Sequence, residues 1–391
     1  MGNSVASPLP SRGDRQSSRF HLQPSIVDFG LTGSFTAIVG TKQFPLNFAE
    51  GDVQEFNKQF ITILEKLCLD VRQKGIDLTG YNHNYLDRLR DLGKLAYSTI
   101  LPDNAQQFFQ NKEQEEQERG LSLTFITSPK LCFFWEMLYA GKRVVEPDQF
   151  WGFRYPLGRT YWEMNLHEYI RLQEGIFSAI HHQLPHSLQE VNNIAQQLEK
   201  VCQCLGLKLS VQQLEKILPV DSLCEDSLLE LFHDQDFRYG MIHFACHYRH
   251  NDYTPKGYLS LTAYEQNLEI KLEQLLAWAK DYHFQNLPFV FLNACGTATL
   301  GHLSQTLQFP SGILNFGAAG VIATACTIPD NFASAFASKF YELLLGKLEI
   351  NTLVNISEVL LETRLYFLQK CNNPLGLAYG LYAPSNQLLR D

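Results

Sequence analysis

The chain has 391 residues, 45% of them hydrophobic and 19% charged, with nine Cys and a formal net charge of −9. That length holds two or three domains of about 150 residues, or one large composite, and the apolar fraction excludes disordered, collagen-like and low-complexity classes. No apolar run approaches the roughly 18 residues that span a bilayer, and the negative charge argues against direct binding of nucleic acid or an anionic membrane.

Residues 1 to 24 read as a disordered leader rich in Ser, Pro and Arg. They lack the apolar core of a secretory signal, and Ala6 breaks the myristoylation pattern begun by Met1-Gly2. With nine irregularly spaced cysteines and no export signal, the expected compartment is a reducing cytoplasm.

SIVDFG and SFTAIVG alternate and are punctuated by glycine, which predicts a β-hairpin. Phe56, Phe60, Ile63, Leu64 and Leu67 follow at helical spacing, and Lys74-Gly75 marks a helix stop. HNYLDRLRDLGKLAYSTIL predicts a second helix ending near Pro102. The charged run from Asn111 to Gly120 reads as a solvated helix end, with Arg119-Gly120 as an alternative site of proteolytic nicking. LSLTFITS then predicts a buried strand and WEMLYAG a short helix.

From Glu174 strands and helices alternate: GIFSAI, a helix from Ser187 to about Leu205, KLSV, GMIHFAC, LPFVFLNAC and GVIATAC, each followed by a predicted helix. This pattern predicts a mostly parallel sheet with helices on both faces. The expected units are the leader 1–24, an N-terminal α/β half 25–173 and a second half 174–391.

Two reactive residues stand at the predicted carboxyl ends of apolar strands: His247 after MIHFAC and Cys295 after FVFLNA. In open α/β sheets the working crevice lies at that edge. A thiol needs a base or a positive field to become a nucleophile near neutral pH, and imidazole supplies it. His precedes Cys by about 50 residues, and Asn293-Ala294-Cys295-Gly296 parallels the Ala-Cys signature of caspases. Small residues such as Gly296 leave backbone N–H groups free to hold an oxyanion.

His243, four residues before His247, has no third ligand at metal spacing, so no metal is expected. Cys246 and Cys326 read as apolar fillers. The chain contains no G-x-G-x-x-G or P-loop motif, so no cofactor is expected.

Several ordered blocks resemble the CHAT family, caspase-like cysteine peptidases of the caspase and separase clan. They are LTFITSPKLCFFWEMLYAG, LPHSLQEVNNIAQQLEK, MIHFACH, LNACGTA, GAAGVIATACTIPDNFASAFASKFYELLLGK and NPLGLAYGLYAPSN. The resemblance implies a caspase-like fold preceded by a pseudo-caspase-like α/β half. It also implies a Cys295–His247 dyad and a protein substrate, with Tyr248, Asn293, Gly296 and Asp330 contributing to substrate binding.

By the same resemblance Asp330 would select Arg or Lys at P1; read from the residues alone, it is a helix N-cap. The family usually has Gly after its catalytic His. Tyr248 in that place would cost of order 1 kcal/mol if φ > 0 were required, weakening the oxyanion hole. The resemblance further implies a regulated protease of bacterial defence or cell death, switched on by an activating protein partner outside the chain. The contrasting reading is a non-catalytic caspase-like scaffold.

Overall fold

The structure is a computed structural model. It describes residues 19–28, 35–46, 48–81, 84–128, 131, 133–141, 145–162, 164–251, 254–294 and 308–390. The N-terminal half opens with β1 (Phe20–Leu22), β2 (Ser25–Asp28), β3 (Phe35–Val39) and β4 (Lys42–Pro45). Three helices follow, α1 (Glu50–Lys74), α2 (Tyr85–Ile100) and α3 (Asp103–Glu115). Then come β5 (Leu121–Thr127), the single turn α4 (Trp151–Arg154) and β6 (Leu157–Tyr161).

β5 pairs in parallel with β1, β2 and β6, while β2, β3 and β4 form an antiparallel meander. The predicted hairpin is the β2–β3 pair. β1 lies inside the stretch expected as leader, because Phe20–Leu22 pair with Leu121–Leu123. α1 buries Val53, Phe56, Phe60, Leu64, Leu67 and Val71, one stripe at spacings of three and four, and ends at Gly75. WEMLYAG makes only a single 3-10 turn at Trp135–Met137.

The first half's range ends with β7 (Tyr169–Arg171), which pairs with the chain's last strand; the second half contains β8 (Gly175–Ile180), α5 (Ser187–Leu205), β9 (Ser210–Gln213), α6 (Leu214–Ile217) and α7 (Ser227–His233). It continues through β10 (Met241–Asn251), β11 (Thr254–Ala263), β12 (Gln266–Lys271), α8 (Leu272–Trp278), β13 (Phe289–Ala294) and α9 (Gln308–Asn315). It ends with β14 (Gly320–Thr324), α10 (Asp330–Ile350), β15 (Leu353–Asn355), α11 (Ile356–Cys371), β16 (Tyr379–Tyr382) and β17 (Leu388–Arg390).

Strands β9, β8, β10, β13 and β14 run parallel in that spatial order, and β16 closes the edge antiparallel to β14. This is the mostly parallel, caspase-like sheet that the sequence implied. All six residues of β13 are buried, as a central strand covered on both faces should be. One face of the sheet meets α5 and α10, the other α7, α8 and α9.

The largest departure from expectation lies after GMIHFAC. No helix follows directly. β10 continues to Asn251 and β11 and β12 build an antiparallel ribbon onto it. The two halves share one hydrophobic core, which joins Leu123 and Trp135 to Phe291, Phe336 and Tyr379. Backbones also meet closely: a Cβ on Gly158 in β6 would lie 2.1 Å from the Ala383 carbonyl oxygen, so only glycine fits there.

Candidate active site

His247 does not stand at a strand terminus. It stands where β10 changes partners: Met241–Cys246 pair in parallel with β13, and His247 begins the antiparallel pairing with β11, opposite Ser260. The histidine therefore sits on continuous strand backbone, paired with β11 one residue past the end of the β13 pairing, at the carboxyl edge of the parallel sheet. The last residue of β13, Ala294, pairs with Cys246. Cys295 and Gly296 follow it directly in sequence and lie outside the described residues.

Sequence reasoning missed His181, which stands directly after β8 and is 1% exposed. Its ring meets that of His247 edge-on, with centroids 4.6 Å apart. The backbone at this point is fixed, since its N–H donates to Ala245 O at 2.8 Å and its C=O accepts from the Ser187 hydroxyl. Its Nδ1 accepts the Gln183 N–H at 3.3 Å, which leaves the ring proton to Nε2. Burial, reinforced by the charges of His247, Arg249 and His182, pulls its pKa down to about 4. His181 is thus a neutral ring beside His247 at physiological pH. The signal for it was a polar His-His pair closing the apolar run IFSAI.

Asp330 opens α10 as its first residue, with Pro329 at the cap position. Its Oδ2 accepts the His186 N–H at 2.9 Å, tying α10 to the loop before α5. Burial raises its pKa above the ordinary carboxylate value; the Glu190 charge adds to this, while the His186 hydrogen bond and the nearby charges of His186 and His247 oppose it. Asp330, His181 and His247 are brought together at one edge.

Asn293 is 1% exposed, and its polar atoms are bonded within the protein. Nδ2 donates to Glu190 Oε1 at 2.7 Å and to Ala333 O at 3.0 Å, and Oδ1 accepts from the Tyr379 hydroxyl at 2.9 Å. A side chain so placed ties the strand to α5, α10 and β16. Tyr248 is likewise buried, its ring edge-on to Phe309.

Tyr248 fits because Gly257 faces it across the ribbon: a Cβ there would lie 2.2 Å from the tyrosine oxygen. Among the described residues the non-glycine positions with positive φ are Gln173, Tyr264, Glu265, Leu287 and Asn372. Tyr248 is not one of them, so the strain expected from replacing glycine does not arise.

The same buried layer contains His243, whose Nε2 lies 2.8 Å from Glu190 Oε1 and whose Nδ1 faces the Tyr341 hydroxyl at 3.4 Å. Glu190 was visible in sequence as the acidic residue in the apolar stripe formed by Ile194, Leu198 and Val201. Among the described residues no cluster of three or more His, Cys, Asp or Glu is placed to hold a metal. None of their helices is long and apolar enough to cross a membrane. Cys246 and Cys326 are buried, as fillers should be, and burial of the Cys246 thiol raises its pKa. Cys326 is also raised, first by its hydrogen bond with Cys68.

A mostly parallel sheet with helices on both faces, which carries a histidine at its carboxyl edge one residue beyond the pairing of Cys246 with Ala294, defines an α/β protein of the doubly covered parallel-sheet class. The chain belongs to the CHAT domain family, whose model matches residues 73–373. A probable protease of Vitiosangium sp. (strain GDMCC 1.1324) is 38% identical over 100 residues, which are 25% of this chain and 12% of that protein. The Arg-specific cysteine proteinase gingipain R is 12% identical, with 76% of this chain and 71% of that chain covered and a TM-score of 0.44. The separase of the Saccharomyces cerevisiae separase–securin complex is 11% identical, with 96% and 30% covered and a TM-score of 0.43.

Proposed function

We propose that the protein is a cysteine endopeptidase in which Cys295 and His247 form the working pair. The observation that carries this reading is the register of β10 against β13: Cys246 pairs with Ala294, and the next residues in the two strands' sequences are His247 and Cys295. In the proposed reaction His247 takes the thiol proton and the sulfur attacks the scissile carbonyl carbon, moving the π pair onto oxygen. Backbone amides, that of Cys295 among them, hold the oxyanion. The tetrahedral species collapses as the C–N bond breaks, and the imidazolium gives its proton to the leaving amine. Water, deprotonated by His247, then attacks the thioester; the C–S bond breaks, the imidazolium returns its proton to the departing sulfur, and the carboxylic acid released ionises in solvent.

Asp330 is the group for P1. Its Oδ2 is engaged by the His186 amide, and Oδ1 faces a substrate guanidinium or ammonium, selecting Arg or Lys. We place the enzyme in the cytoplasm as a regulated protease of defence or cell death, acting on a protein substrate and switched by a protein partner. Replacement Cys295→Ala is expected to reduce cleavage of Arg- and Lys-P1 peptides to background, and retained cleavage would overturn the assignment. If iodoacetamide labels Cys295 no faster than the exposed Cys204 and Cys224, the non-catalytic scaffold reading replaces it.

A further inference from the structure

We infer that Glu190 is a positioning residue for the proposed Cys–His pair, holding the two strands that carry it through a single carboxylate oxygen; this inference rests on the peptidase reading above. Oε1 takes the Asn293 amide at 2.7 Å and the His243 ring nitrogen at 2.8 Å. Asn293 lies two residues before Cys295, and His243 lies four before His247. One atom in the first turn of α5 is thus bonded to both neighbouring strands, immediately upstream of each member of the pair.

The surroundings show that the arrangement is built rather than incidental. Glu190 is 1% and His243 0% exposed, and among the described residues no Lys or Arg pairs with Glu190. Its hydrogen-bond donors are each anchored a second time. Asn293 Nδ2 also meets Ala333 O in α10, Asn293 Oδ1 accepts from Tyr379, and His243 Nδ1 faces the Tyr341 hydroxyl. A fully satisfied polar network in an otherwise apolar layer specifies one geometry, whereas apolar packing tolerates small slips. The carboxylate charge also reaches the working edge, since it pushes the Asp330 pKa upward.

Stability alone is a poor reason for a carboxylate here, because whole buried ionic clusters are often replaced by apolar residues of similar volume without loss of stability, although removing one member alone leaves its partners unpaired. That contrast supplies the test. Glu190→Met removes the shared acceptor while filling its volume, and Glu190→Gln restores an oxygen that accepts from both donors. With purified full-length protein and an Arg-P1 peptide, the Met variant should lose kcat by about 100-fold, the cost of a displacement near 1 Å at a reacting centre. KM should stay unchanged, and the Gln variant should recover most of kcat.

If the Met variant does not fold, Glu190→Asp decides, since it keeps the charge and withdraws the carboxylate by one methylene; kcat should then fall with KM and melting temperature near wild type. Unchanged kcat in the folded Met or Asp variant overturns the positioning role while leaving the peptidase reading intact. A wild-type protein whose Cys295 is neither catalytic nor fast-alkylating overturns both.

Discussion

Asp330 gives the sharpest test of the proposed substrate choice, because one substitution separates its structural tie from the proposed pocket role. Asp330→Asn keeps an amide oxygen for the His186 N–H, bonded at 2.9 Å in the native protein, and so keeps the tie between α10 and the loop before α5. It removes only the charge. A half-buried carboxylate meeting a guanidinium makes charge-assisted hydrogen bonds worth about 1.5–3 kcal/mol net. At about 1.4 kcal/mol per factor of ten, kcat/KM for Arg-P1 over neutral-P1 peptides should fall roughly 10- to 150-fold.

The pH dependence of that preference follows from the upward shift of the Asp330 pKa by burial. The carboxylate becomes fully charged only above its raised value. The preference should therefore grow as pH rises through the mildly acidic range and should already be lost above pH 3.8 on acidification. The assay is kcat/KM for matched fluorogenic peptides with Arg, Lys, Ala and Asp at P1, across pH, for wild type and Asp330→Asn. An Asn variant that still turns over peptides with the same Arg-to-Ala ratio would refute the pocket assignment.

Two further outcomes concern stability. His21 joins β1 to β5 through Ser122 and to the C-terminal segment through Ser385, each 3.1 Å from Nδ1, and burial pulls its pKa down to about 4. The unfolded chain then binds a proton more readily, so the contribution of this group is full above pH 6.5 and lost as pH falls toward 4. The shift corresponds to about 3 kcal/mol at most, or about half that after discounting for the exposed part of the ring. Urea melts at pH 7 and pH 4.5 should show this loss in wild type and a smaller one in His21→Gln; equal losses would contradict it. Glu136 lies between the guanidiniums of Arg159 and Arg364, all three within 3% of full burial. Glu136→Ala should cost about 3–5 kcal/mol by denaturant melt, and Glu136→Ala with Arg159→Met and Arg364→Met should regain much of it. A single variant as stable as wild type would show that water reaches the two arginines.

The parallel sheet was legible because its strands are short apolar runs bounded by turn residues, and its helices because their apolar stripes are regular. The ribbon was not. Residues YLSLTA and QNLEIK pair as β11 and β12 around a two-residue turn, Tyr264-Glu265, with φ of 47° and 66°. Such turns normally announce themselves as Asn-Gly or Asp-Gly. Here the strained pair is held instead by a tertiary bond, Tyr264 N–H to Glu215 Oε1 at 2.7 Å, which no local pattern reveals. The same limit applies at the site. His247, Cys295 and Asp330 were readable as motif residues, but the meeting of His181 with His247 and of Glu190 with Asn293 depends on strand register. Asn293 and Tyr248 were expected at the substrate because they flank the motifs. Strand alternation and core packing turn their side chains inward.

Buried hydrogen bonds connect the N-terminal half to the strand that precedes Cys295. Arg364 in α11 donates to Glu136 in the first half and to the Tyr379 carbonyl in the second. The Tyr379 ring stacks on Phe336 with centroids 3.8 Å apart, and its hydroxyl orients the Asn293 amide. Asn293 in turn reaches Glu190 and, through it, His243. Each link is a buried hydrogen bond with little room to shift, so a change in how Glu136 meets Arg364 has a short physical route to the strand that precedes Cys295. Removing residues 25–173 would leave Arg364 buried without its carboxylate and strip the apolar cover from Phe336 and Tyr379. The boundary near residue 173 is therefore crossed both by the β7–β17 pairing and by the shared core, and a partner acting on the first half would be acting on the support of the second.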